Sequence, residues 1–149
     1  MEGYISDSLY NTGRKRNSLI NRRIIMRVLG VLLWVEVCML LTCVGVAWLY
    51  QESDGWAFLL SAGITGVAAS LLILAGRGAE RRMSKRDGYC VAALTWVLFS
   101  LFGMLPFLLS HSVATPGEAF FETMSGFTTT GATIMDDIDT QSHAILFWR

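Results

Sequence analysis

Charge is scarce in this sequence: Asp, Glu, Lys and Arg make up 16% of its 149 residues, against roughly 25% in an average soluble domain. Neither sign dominates. Twelve basic residues balance twelve acidic ones, so no overall field argues for nucleic acid or for an acidic partner. Cysteine is sparse too, and Cys38, Cys43 and Cys90 have no CxxC spacing and lie in or beside apolar runs. They read as small buried hydrophobes rather than a zinc or disulfide framework. His111 and His143 stand at the ends of apolar stretches with no partner at metal-ligand spacing, so both are expected at membrane interfaces. No nucleophile is matched with a base, so an enzyme is not expected and no cofactor is implied. A cleavable leader is not expected either, because the first apolar run is too long and no small-residue cleavage motif follows it.

What the sequence has in abundance is apolar residues, 53% of the total. They fall into three runs, Ile24–Tyr50, Trp56–Gly76 and Tyr89–Ser110, each matching or exceeding the roughly 20 residues that cross a hydrocarbon core. Three transmembrane helices are therefore expected. In the second run, Ser61, Gly63, Gly66, Ala69 and Ser70 would let another helix approach closely. Pro106 is expected to kink the end of the third, since proline lacks an amide donor and crowds the preceding turn. Trp34, Trp48, Trp56, Trp96 and Trp148 suit an interfacial belt or helix packing. Six of the basic residues lie between Arg14 and Arg27, five between Arg77 and Arg86, and the last is Arg149. The tail Met1–Arg23 and the second link then belong to the cytoplasmic side and the acidic "QESDG" to the outside.

After the third span comes "TPGEAFFETMSGF", where Thr115, Pro116 and Glu118 occupy the positions of an N-cap, a first-turn proline and the third residue of a capping box. A helix over 116–126 would reach roughly 16 Å, about half of a 30 Å core. "GFTTTGAT" follows. Such irregular backbone at membrane depth survives only where protein buries it or it lines a watery cavity, and a half-helix points its negative end at what lies there, favouring a cation. Thr-Thr-Gly-Ala can turn successive carbonyls towards one axis, with Gly131 free to take a positive φ. The absence of carboxylates within the loop argues against a tight divalent cage. A phosphate loop fails because Ala132 stands where lysine is required and the dipole is reversed. Asp136, Asp137 and Asp139 could concentrate cations at a mouth or form a merely solvated loop. Glu122, inside the half-helix, is expected to support the loop by accepting amide hydrogen bonds or by pairing with a cation from a repeat outside this sequence. Glu36 lies in an apolar run, where charges are costly, and pairing with Arg27 or a basic residue of the next link is expected.

The stretch "EAFFETMSGFTTTGAT", with "DGYCVAALTWVLFSLFGMLPFLLS" before it and "HAILFWR" after it, resembles the TrkH branch of the Trk/Ktr/HKT potassium transporter superfamily. The resemblance implies an all-α membrane protein in which a basic tail (1–23) and a two-span N-terminal hairpin (24–87) precede the first repeat of a potassium-channel-like pore (88–149). Within that repeat it implies an outer helix at 89–110, a re-entrant pore helix at 116–126, a filter at 128–132 and the start of an inner helix at 143–149. The filter residues would be Thr129, Thr130, Gly131 and Ala132, with Thr128 nearby and Glu122 behind them, and Gly131 in the filter-glycine position favours potassium over sodium. Further implications are a bacterial plasma-membrane location, a homodimer, and a cytosolic nucleotide-binding regulatory subunit of the TrkA type. A pore of this kind needs four such repeats, so the chain is expected to be the N-terminal portion of a longer subunit and not to conduct alone. The alternative is a non-conducting membrane anchor or assembly module whose Thr/Gly loop is a buried turn.

Overall fold

The computed structural model describes residues 21–78, 83–135, 138 and 141–149. Among them are helices and connections but no strand. Helix α1 runs Arg22–Leu49, α2 Gly55–Ala75, α3 Lys85–Gly103, α4 Leu105–Leu109, α5 Pro116–Phe127 and α6 His143–Trp148. Three stretches, Arg22–Leu49, Gly55–Ala75 and the combined Lys85–Leu109, are long and apolar enough to cross a membrane. The break between α3 and α4 falls at Met104, two residues before Pro106, whose missing amide leaves the Phe102 carbonyl without its helical donor. Most of the basic tail, and Asp136, Asp137 and Asp139 of the acidic stretch, lie outside the described residues.

Helix α1 is the spine. Leu29, Leu33, Glu36, Leu40, Cys43 and Ala47 are buried along it, at the three- and four-residue steps that line one face of a helix. Its main partner is α2, whose buried stripe is Ala57, Phe58, Ser61, Ala62, Thr65 and Ala69. Lipid is as apolar as these side chains, so close packing rather than water exclusion has to hold the pair. Of the expected positions, Ser61 and Ala69 are fully buried, but Gly63 does not serve the approach. Gly63 is exposed and a Cβ there would touch nothing. The backbones instead meet at Gly30, where a Cβ would come within 2.8 Å of the Ala69 carbonyl, and at Gly76, where it would come within 2.7 Å of the Arg23 carbonyl. Ser61 and Thr65 return their hydroxyls to the Ala57 and Ser61 carbonyls at 2.7 and 2.8 Å, so neither brings an unmet polar group into the interface.

Helices α4, α5 and α6 stack on this hairpin. Val37, Leu40, Cys43 and Ala47 of α1 share one core with Phe58 and Ala62 of α2, Phe107 of α4, Ala119 of α5, and Ala144 and Ile145 of α6. At the opposite end, Asp87 accepts the backbone amides of Ser84 and of Asn21, both at 3.0 Å. That carboxylate ties the start of α3 to the start of α1.

Glu36 departs from expectation. It does not pair with Arg27. It is fully buried, and neither carboxylate oxygen has a hydrogen-bond partner among the described residues. Its surroundings include Gly103, where a Cβ would stand 3.2 Å from Glu36 Oε1 and 2.7 Å from the Thr123 methyl of α5.

Candidate functional site

Helix α5 begins as its sequence dictates. Thr115 Oγ1 accepts the Glu118 amide at 3.3 Å, and Glu118 Oε2 accepts the Thr115 and Ala114 amides at 3.0 Å each, which satisfies both sides of a capping box. Its twelve residues extend roughly 18 Å. It ends in a tight reversal: the Thr129 amide donates to the Gly126 carbonyl and the Thr130 amide to the Ser125 carbonyl, both at 3.0 Å. This is the Schellman pattern, which asks for a left-handed residue just past the helix and usually finds glycine there. Here Thr129 holds it at φ 56°. A β-branched residue in that region carries roughly 1–2 kcal/mol of steric cost, and such outliers gather where geometry serves a site.

This ending narrows one expectation. Of the last carbonyls of α5, Ser125 and Gly126 take the Schellman bonds and Met124 accepts the Thr128 amide at 2.9 Å and the Thr128 hydroxyl at 2.8 Å, while among the described residues no hydrogen bond falls on that of Phe127. Further unengaged oxygens come slightly later. Thr128 accepts the Thr129 hydroxyl and Ala132 the Ser125 hydroxyl, both at 2.7 Å. Among the described residues no hydrogen bond falls on the carbonyls of Thr129, Thr130 or Gly131. Gly131 takes φ 71°, two positions after Thr129, and a Cβ there would meet no atom within 4 Å. Its need for glycine is therefore conformational rather than steric. Residues Thr128–Ile134 are all exposed.

Behind this stretch stands Glu122, fully buried. Its Oε1 accepts the Thr133 hydroxyl at 2.7 Å and the Ile134 amide at 2.5 Å. Its Oε2 lies 3.1 Å from Arg149 Nε, off the line of a hydrogen bond, so charge attraction carries that contact. Glu122 thus gathers a hydroxyl and an amide from the stretch after the loop, and its cation is Arg149 of this chain rather than one from another repeat. Arg149 reaches Glu122 because α6 lies against α5 at Gly126, where a Cβ would collide with the Arg149 carbonyl. The Trp148 indole donates to the Gly103 carbonyl at 2.9 Å.

The start of α6 holds a contact that the sequence did not announce. Glu52, in the link between α1 and α2, accepts the His143 amide at 2.7 Å through Oε1 and the Ala144 amide at 3.1 Å through Oε2, with His143 Nδ1 2.8 Å from Oε1. The Tyr50 and His143 rings stack with centroids 4.1 Å apart. Burial pushes the Glu52 carboxyl upward, but the His143 and Ala144 donors outweigh it and hold the group below its ordinary value. His143 is thus partnered rather than simply interfacial. No short-range signal could have found the pair, since ninety-one residues separate them.

No family model matches the chain. Individual proteins do. It is 38% identical over 128 residues to the Trk system potassium uptake protein TrkH of Halomonas elongata, which covers 85% of this chain and 27% of that protein. The Escherichia coli K12 protein of the same name is 34% identical over the same number of residues, with 85% and 26% covered. The crystal structure of the potassium transporter TrkH from Vibrio parahaemolyticus superposes with a TM-score of 0.79 at 31% identity, covering 85% of this chain and 27% of that one. The chain is a homologue of the TrkH proteins. It spans about a quarter of the length of the relatives it matches. TrkH proteins are membrane proteins belonging to a transporter family rather than an enzyme family, in line with the sequence reading.

Proposed function

We propose that this chain supplies the first of four filter-forming repeats of a potassium uptake subunit. The observation that carries the reading is the sequence of events after α5: a capped half-helix, a left-handed Thr129, then Thr129, Thr130 and Gly131 carbonyls that no donor among the described residues occupies. In an extended strand successive carbonyls alternate sides. Left-handed residues at every second position bring them towards one side, where they can replace an ion's water shell. The naming of the relatives as potassium uptake proteins supports potassium as the ion. The proposed filter is Thr129–Gly131 with Ala132, whose carbonyl retains one lone pair beside the Ser125 hydroxyl. Thr128 ends the helix beneath it, and Glu122 fixes the strand beyond it.

In this reading 1–23 is a cytoplasmic tail, 24–87 the N-terminal hairpin and 88–149 the first repeat. Three further repeats of the same subunit supply the other walls. The contact of Gly76 with Arg23 and Arg27, and that of Asn21 with Asp87, gather Arg22, Arg23, Arg27, Arg77, Lys85 and Arg86 at one end, which supports a cytoplasmic N-terminus in a bacterial inner membrane. A homodimer and a TrkA-type regulatory subunit complete the proposal on the strength of the family resemblance. The test is growth. In a strain lacking potassium uptake, the four-repeat subunit should restore growth at low potassium, and Gly131→Arg, which places a cation among the carbonyls, should abolish it. Normal rescue by the variant would refute the assignment.

A further inference from the structure

The stretch proposed as filter hangs between two fixed ends. Its entry is the Schellman turn of α5. Its exit is the start of α6, and the groups that hold that start come from the hairpin. Helix α1 itself closes in a second Schellman turn, with the Gln51 amide on the Trp48 carbonyl at 3.3 Å and the Glu52 amide on the Ala47 carbonyl at 2.9 Å. Gln51 accepts the left-handed conformation at φ 55°. That turn presents Tyr50 and Glu52 together, the ring stacked on His143 and the carboxylate taking the first two amides of α6. At the far end of the same short helix Arg149 pairs with Glu122, whose other oxygen holds Thr133 and Ile134 directly after the proposed filter. Six residues of helix thus join one carboxylate to the next.

We propose that Glu52 is a positioning residue for ion transport, which acts by seating α6 so that Arg149 and Glu122 hold the Thr129–Ala132 strand in register. This rests on the proposed pore function. Charge-assisted acceptance of two backbone amides is among the stronger contacts available at a membrane interface, and it spans the hairpin and the pore repeat. The N-terminal hairpin is therefore a part of the pore's framework rather than an appendage.

The test is rubidium uptake into cells by the four-repeat subunit, normalised to the amount of protein in the membrane, with Gly131→Arg measured alongside. Glu52→Ala is expected to raise the half-saturating rubidium concentration about threefold to tenfold, in the range of couplings transmitted through packed elements, while the maximal rate per molecule changes less. Glu52→Gln keeps an acceptor for the amides and should recover part of the loss. Combined with Arg149→Lys, Glu52→Ala should add little to the larger single effect, because both act on the same helix. An unchanged half-saturating concentration in Glu52→Ala would overturn the inference. So would a fall in uptake that only tracks a fall in protein amount, or effects of the two substitutions that multiply. If Gly131→Arg transports normally, the pore reading fails. If Gly131→Arg is dead and Glu52→Ala is normal, only the positioning role fails.

Discussion

Glu36 and Glu122 are glutamates on helices that meet around Gly103, both without exposed surface, yet they live in opposite surroundings. Glu122 has a hydroxyl, an amide and a guanidinium within reach, whereas neither oxygen of Glu36 has a hydrogen-bond partner among the described residues. Burial alone therefore says little about what a buried acid does. Its partners say more, because a carboxylate that organises donors from two other segments fixes geometry, while a solitary one only adds a cost of desolvation.

The largest effect should come from the partnered acid. Glu122→Ala strands Arg149 and leaves the Ile134 amide unmet, so unfolding in detergent should show a loss of about 3–5 kcal/mol, together with loss of rubidium uptake by the four-repeat subunit. Glu36→Met reverses the sign. A flexible apolar side chain removes an unpartnered polar group, and the same measurement should show a gain of about 1–3 kcal/mol. A loss there as large as that of Glu122→Ala would erase the contrast between the two acids. A smaller gain is expected from Thr129→Gly, about 0.5–1 kcal/mol, as relief of the left-handed strain is offset by the freer unfolded chain. If Thr129 carries that strain for the sake of the ion path, the gain in stability should accompany a loss of selectivity for potassium over sodium in uptake.

Glu52 is the third case, a carboxylate that is partnered but near the surface, and it should give the smallest change. Its value is depressed below 4.5 in the fold, so its stabilising contribution is complete above that value and disappears as pH falls through the lowered one. Thermal midpoints taken near pH 7 and again below about pH 4 should thus drop further for the parent than for Glu52→Gln. Equal drops would mean that the carboxylate contributes nothing through its charge.

Some of this was legible in the order of residues. The three apolar helices follow from run length, the start of α5 from Thr115, Pro116 and Glu118, and the break before Pro106 from the missing amide. That Glu122 would accept a backbone amide was legible too, whereas its partner Arg149 was not. The ends of helices were harder to read. Three of them close with a left-handed residue that is not glycine, at Gln51, His111 and Thr129, and a reader who waits for glycine has no signal at those positions. Small residues were legible only in part for a related reason: Ser61 and Ala69 are buried as expected, while Gly63 stands free on its helix and Gly30 and Gly76 bear the close crossings. The direction in which a glycine faces depends on the rotation of the whole helix.

Hydropathy, capping and proline act within a few residues, so chain order alone was enough to produce three membrane-length helices and a capped half-helix followed by a Thr-Gly loop. The partners of Glu52 and Glu122 come from segments eleven to ninety-two residues away, and Glu36 has none among the described residues. Only the packing of α6 between the hairpin and α5 decided which carboxylate holds the loop, which holds the helix after it, and which stands alone. Electrostatic attraction and hydrogen bonds act over a few ångströms of space, whatever the separation along the chain.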